Sequence, residues 1–168
     1  MTETFLYHGS DNKNLFIIKP HNQSVRHSDE GSVIFATPDS AYAYAFTVRP
    51  RGRYRQDISR WRLDGVETPW HITIDDEAAF RYADLGGAVY RVAAEQFTLD
   101  ATYDHGTPEW TAHAAVVPVD KTIFTSSLKA MLEQGLQVHF VSPAEFDQIK
   151  VAQNHGWEIV KELPIVLE

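Results

Sequence analysis

Apolar residues in this chain come in short runs separated by turn residues. Phe5-Leu6-Tyr7-His8 closes on Gly9-Ser10-Asp11-Asn12 and predicts a strand running into a turn. Leu15–Ile18 is a second apolar segment, stopped by Pro20, and the polar residues 21–32 predict a loop. Ser32–Ala36 predicts a buried strand. Thr37-Pro38 then predicts a helix start, with Thr37 as N-cap and Pro38 at the first helical position. That helix is expected to reach about Val48, ahead of Pro50, with Tyr42 and Phe46 on one face.

Residues 49–69 show no regular period. Trp70–Ile74 alternates like a half-buried strand, and 75–85 predicts a short helix ending at Gly86-Gly87. Ala88–Val92, Gln96–Leu99 and Trp110–Val117 predict further strands, with a loop over 102–108. In the tail, Ser126–Gln134 predicts a helix stopped by Gly135, and Leu136–Val141 a strand. Ser142-Pro143-Ala144-Glu145 carries a serine cap, a first-turn proline and a third-position glutamate. A helix is expected from there to about His155, then a last strand over Trp157–Val160. The sum is a mixed α+β chain of many short strands. No repeat or long linker divides it, so it reads as one domain.

Composition removes several function classes. The 168 residues are 43% hydrophobic and 23% charged, ordinary for a globular chain. No cysteine is present, which excludes disulfides, thiolate metal sites and cysteine nucleophiles. The net charge of −8 does not fit a globally basic nucleic-acid binder. No apolar run is long enough for a membrane span, and the N-terminus lacks a signal core, so a cytoplasmic location is expected. The histidines show no zinc-site spacing, and no metal is expected.

Three segments stand in a suggestive order: Tyr7-His8-Gly9-Ser10, then Val33–Phe46 with Phe35-Ala36-Thr37-Pro38 opening an alanine-rich helix, then Glu109-Trp110 after a turn-rich loop. This set resembles the ADP-ribosyltransferase fold family, in the branch of diphtheria toxin and the poly(ADP-ribose) polymerases. The resemblance covers roughly residues 5–118. It implies split antiparallel β-sheets with flanking helices over a core of residues 1–118. Residues 119–168 then form a C-terminal helix-strand-helix, α/β extension of the same domain.

The resemblance implies an NAD⁺-using mono-ADP-ribosyltransferase or NAD⁺ glycohydrolase of unassigned acceptor. Glu109 would be the catalytic carboxylate, stabilising the ribosyl cation electrostatically. His8 would bond the adenine ribose, and the Gly9 backbone the nicotinamide amide. Ser10 belongs to the same strand-end motif. Ser40 would contact the amide, and Tyr44 or Phe46, with Tyr42 as a third choice, would stack on the nicotinamide ring. Arg26 is the one arginine placed from the basic set of the RNA 2′-phosphotransferase branch. Two departures stand out: Ile34 replaces the polymerases' tyrosine, removing a wall of the aromatic sandwich, and Thr107 stands where the arginine-specific toxins are acidic. A catalytically inactive nucleotide- or ADP-ribose-binding module and a protein-interaction domain remain as alternatives.

Without that resemblance His8 reads as a core histidine, Glu109 as an exposed turn residue and the helix aromatics as core. Six of the 15 basic residues fall between Arg49 and Arg62, interleaved with Tyr54 and Trp61. Arg49, Arg51, Arg53 and Arg55 suit a pyrophosphate or a protein or nucleic-acid acceptor. A salt-bridged hairpin is the other reading of the same charges.

Overall fold

The computed structural model describes residues 3–21, 31–104 and 108–168. It is a mixed α+β structure of several small sheets and few helices. β1 (Phe5–Ser10), β7 (Gly87–Ala93) and β10 (Asp120–Phe124) make an antiparallel sheet with β7 in the centre. β2 (Ile34–Ala36), β9 (Pro108–Ala112) and β8 (Thr98–Asp104) make a second, also antiparallel. In the third, β6 (His71–Ile74) lies between antiparallel β3 (Gln56–Ser59) and parallel β11 (Gln137–Phe140). β4 (Arg62–Leu63) and β5 (Val66–Glu67) form a small ribbon. Reciprocal backbone bonds between Tyr7 and Thr37, at 2.8 and 3.0 Å, tie the first sheet to the second.

β7 explains how the core divides. Its side chains alternate, so Val89 joins one apolar cluster while Ala88, Tyr90 and Val92 join another. The first cluster gathers α1 (Ser40–Tyr44), α2 (Glu77–Ala83) and α3 (Ser127–Glu133) against β6 and β11, through Tyr44, Phe80, Leu128, Met131, Ile72 and Val138. The second holds Leu6, Ile34, Phe97 and Val116. A third, under α4 (Pro143–Val151) and α5 (Trp157–Val160), is built on Trp61, Phe146, Ile149 and Val160.

Several elements differ from expectation for identifiable reasons. α1 is capped by Asp39, whose carboxylate accepts from the amides of Ala41 and Tyr42, and not by Thr37. Thr37 cannot begin the helix because its own N–H and C=O are spent on Tyr7. The helix also ends early, at Tyr44, where Phe46 and Thr47 bond three residues back. Residues 157–160 are helical, not a strand, and Val160 is fully buried. α4 stops at Val151, and Asn154, His155 and Gly156 all take left-handed backbone angles. The strand expected over 110–117 ends at Ala112, and β10 was not expected. The tail beyond residue 118 adds one strand to each of two sheets, β10 beside β7 and β11 beside β6.

Candidate active site

A cleft of about 750 Å³ opens beside α1. β1 brings Tyr7, His8 and Gly9 to it, β2 brings Phe35 and Ala36, and β9 brings Glu109. Tyr42 and Phe46 come from α1 and its exit, Arg49 and Arg51 from the following turn, and Gln56 and Ile58 from β3.

His8 is fixed by its Nδ1, 2.7 Å from the Phe35 carbonyl. A carbonyl only accepts, so Nδ1 carries the proton and donates it. Burial lowers the His8 pKa against the opposing effect of that bond, and the charges of His21 and Arg49 lower it further. The ring is therefore neutral at pH 7, and its Nε2 is an acceptor suited to a ligand hydroxyl.

Gly9 meets a packing need. A Cβ there would lie 2.0 Å from the Ala43 carbonyl oxygen and 3.3 Å from Phe46 Cβ. The absent side chain lets α1 rest directly on β1, and this holds the helix aromatics at the cleft wall.

The Tyr42 hydroxyl donates to Glu109 Oε1 at 3.3 Å. The Tyr42 ring is clamped, edge-on to Phe46 at 5.0 Å and against Trp70 at 4.4 Å. Trp70 in turn donates through Nε1 to Asp39, the cap of α1, at 2.8 Å. One carboxylate thus holds both the helix start and the stack behind Tyr42. Phe46 is 43% exposed, a large apolar ring at this wall open to a ligand face.

The structure brings His8, Gly9, Phe46 and Glu109 together with Tyr42. Ser40 and Tyr44 face a separate small cavity on the other side of α1, and Tyr44 stacks on Phe124 at 5.3 Å. Ser10 is buried, its Oγ accepting from the Asn12 amide. Arg26 and Thr107 lie outside the described residues. Ile34 is 2% exposed inside the second cluster, so that position walls no part of the cleft. The aromatic that lines it from β2 is Phe35.

The arginine stretch is more bound than its composition suggests. Arg49 and Arg51 share the Asp11 carboxylate at 3.2 and 3.0 Å. Arg55 bridges Asp75 and Asp147, both at 2.6 Å. Arg60 and Arg62 share Glu67. Tyr54 and Trp61 are buried. Sequence reasoning missed Gln56, whose Nε2 donates to the Ala45 carbonyl at 2.9 Å, and Asp11, the counter-charge at the cleft wall. Neither stands in a recognisable pattern, because each is brought there by tertiary pairing alone. Among the described residues no group of acidic and histidine side chains is arranged to hold a metal, and no helix is long and apolar enough to cross a membrane. Comparison of the chain with protein-family models, with curated proteins and with solved structures returned no match.

Proposed function

We propose that this cleft binds NAD⁺ and cleaves its nicotinamide glycosidic bond, as an ADP-ribosyltransferase or NAD⁺ glycohydrolase of the kind the sequence motifs resemble. The observation that carries the reading is that His8 and Glu109, far apart in sequence, line one cleft whose volume suits a large part of a dinucleotide. In this reading the bond from the ribose C1′ to the nicotinamide nitrogen breaks and its electron pair leaves with nicotinamide. The positive charge left on the ribose is stabilised by the Glu109 carboxylate, which the Tyr42 hydroxyl orients. Water or an acceptor hydroxyl or amine then adds at C1′ and releases its proton.

The neutral His8, with Nε2 as acceptor, takes a hydrogen bond from a ribose hydroxyl. Phe46 supplies the face for a ring. Arg49 and Arg51 reach the pyrophosphate by giving up Asp11 for it. Arg53 and Arg55 extend the basic stretch toward a protein or nucleic-acid acceptor. Arg55 would first have to give up Asp75 and Asp147.

The test is the NAD⁺ dissociation constant and the rate of nicotinamide release, in wild type and in His8→Ala. The expected result is release by the wild type and weaker NAD⁺ binding by the variant. Binding without release under any acceptor condition identifies the inactive binding module, and absence of nucleotide binding overturns the proposal.

A further inference from the structure

The face of the first sheet that meets α1 carries a second, polar cavity of about 190 Å³. Its construction follows from strand register. Tyr7, Arg91 and Asp120 stand opposite one another on β1, β7 and β10, and Val89 and Thr122 form the next cross-strand pair. Over this floor α1 lays Ser40 and Tyr44, four residues apart and so on one helix face.

The arginine here is held in place. Arg91 Nη2 donates to Asp120 Oδ2 at 2.5 Å, and its guanidinium lies 4.4 Å from the centre of the Phe5 ring. Its Nε is buried with no partner among the described residues. The side chains of Tyr7, Ser40, Tyr44 and Thr122 line the same cavity and offer it four hydroxyls. Tyr44 is 8% exposed overall, and it lines this cavity beside the unpartnered Arg91 Nε.

Charge decides the ligand class. The guanidinium and carboxylate cancel, and the further charge that acts on Tyr44, Glu133, is negative. An oxyanion therefore gains little here. A donor and an acceptor fixed side by side match two neighbouring hydroxyls, each able to accept from the arginine side and donate to the carboxylate side. The volume holds about six waters, the size of one sugar ring.

We infer that the cavity formed by Ser40, Tyr44, Arg91, Asp120 and Thr122 is a binding site for a neutral vicinal diol on a sugar-sized ring. This site does not depend on NAD⁺ chemistry in the neighbouring cleft, although Tyr7 lines both. The diol can belong to a free sugar or to the ribose of a nucleoside.

The experiment is amide NMR on the full chain, titrated with methyl β-D-ribofuranoside, its 2-deoxy counterpart, adenosine and inorganic phosphate. The ribofuranoside is expected to shift the amides around Ser40, Tyr44 and Thr122, and the 2-deoxy sugar to do so about tenfold more weakly. Tighter binding of adenosine at the same amides identifies a nucleoside as the source, and equal or weaker binding identifies the free sugar. Tyr44→Phe keeps the stack on Phe124 and removes only the hydroxyl. It is expected to weaken the ribofuranoside about tenfold with an unchanged melting temperature, and Asp120→Ala to abolish the response. Shifts confined to the neighbouring cleft, equal binding of both sugars, no response to either, or phosphate binding more tightly than the ribofuranoside would each overturn the inference.

Discussion

At Gly9 one methyl group decides whether α1 can lie on β1. The added carbon meets a backbone carbonyl at 2.0 Å, and backbone cannot rotate away as a side chain does. Gly9→Ala is expected to cost about 2 kcal/mol or more, in the range of overpacked cores, read as a lowered denaturation midpoint. Glu109 carries chemistry instead of packing. Glu109→Gln keeps the shape and removes the charge, so nicotinamide release should fall about 10²-fold or more while NAD⁺ affinity stays near wild type. Full activity in that variant would assign the role to another group. Of the strand-end motif, His8 and Gly9 line the cleft, while Ser10 is buried away from it with its Oγ held by the Asn12 amide. The residues of α1 were only partly legible. Tyr42 and Phe46 form one four-residue pair and Ser40 and Tyr44 another, offset by two residues, or about 200° around the helix. Sequence spacing groups each pair but leaves open which face meets the cleft.

Among the elements, α3 depends most visibly on one distant side chain. Asp84 accepts from the amides of Ser127 and Leu128 at 2.7 and 3.0 Å, from Ser126 Oγ at 3.1 Å and from the Gly86 amide at 3.0 Å. Asp84→Ala should therefore cost about 2 kcal/mol, the upper end for losing a cap, measured by urea denaturation. A loss within about 0.5 kcal/mol would show that water replaces the carboxylate there. Ser142 and Glu145 form the reciprocal capping box that their spacing predicts, and the start of α4 was readable for that reason. β10 was not readable, since four of its five residues are exposed and an edge strand leaves little apolar alternation. Trp157–Val160 misled in the opposite sense. Its β-branched Ile159 and Val160 favour a strand locally, but Gly156 turns the chain left-handed and tertiary packing makes the helix. β3 was hidden because Gln56, Asp57 and Ser59 are polar, and only pairing with β6 reveals them as strand.

At the scale of the whole molecule, one buried pair contributes acid sensitivity. His71 Nδ1 lies 2.8 Å from His139 Nε2, and His139 Nδ1 lies 2.9 Å from the Pro164 carbonyl. The carbonyl must accept, so His139 carries its proton on Nδ1 and offers Nε2 to the N–H of His71. The pair thus joins β6, β11 and the C-terminal segment in a single neutral chain of donors. Burial, and for His71 the neighbouring ring, lowers both pKa values, that of His71 to about 4. Below pH 6.5 the unfolded chain takes up protons that the folded pair refuses, so stability falls as pH drops from 6.5 to about 4 and is level above. The loss attributable to His71 is on the order of 3 kcal/mol. Denaturant midpoints across that range should show it, and His71→Asn, which keeps an N–H for His139, should make the fall shallower, with the shares of His139 and His8 remaining. A wild-type profile already flat there would mean the pair opens without cost.

The order in which the sheets are completed sets a clock during synthesis. β6 finds β3 behind it as soon as it leaves the ribosome, but its other edge waits for β11, roughly sixty residues later. At about 5–20 residues per second, that edge stands open for roughly 3–13 s. It belongs to four consecutive buried residues, His71–Ile74, the sort of strand that neighbouring nascent chains readily extend. Codon pace between residues 75 and 136 therefore governs how much of the protein reaches its own β11 before meeting another chain's strand.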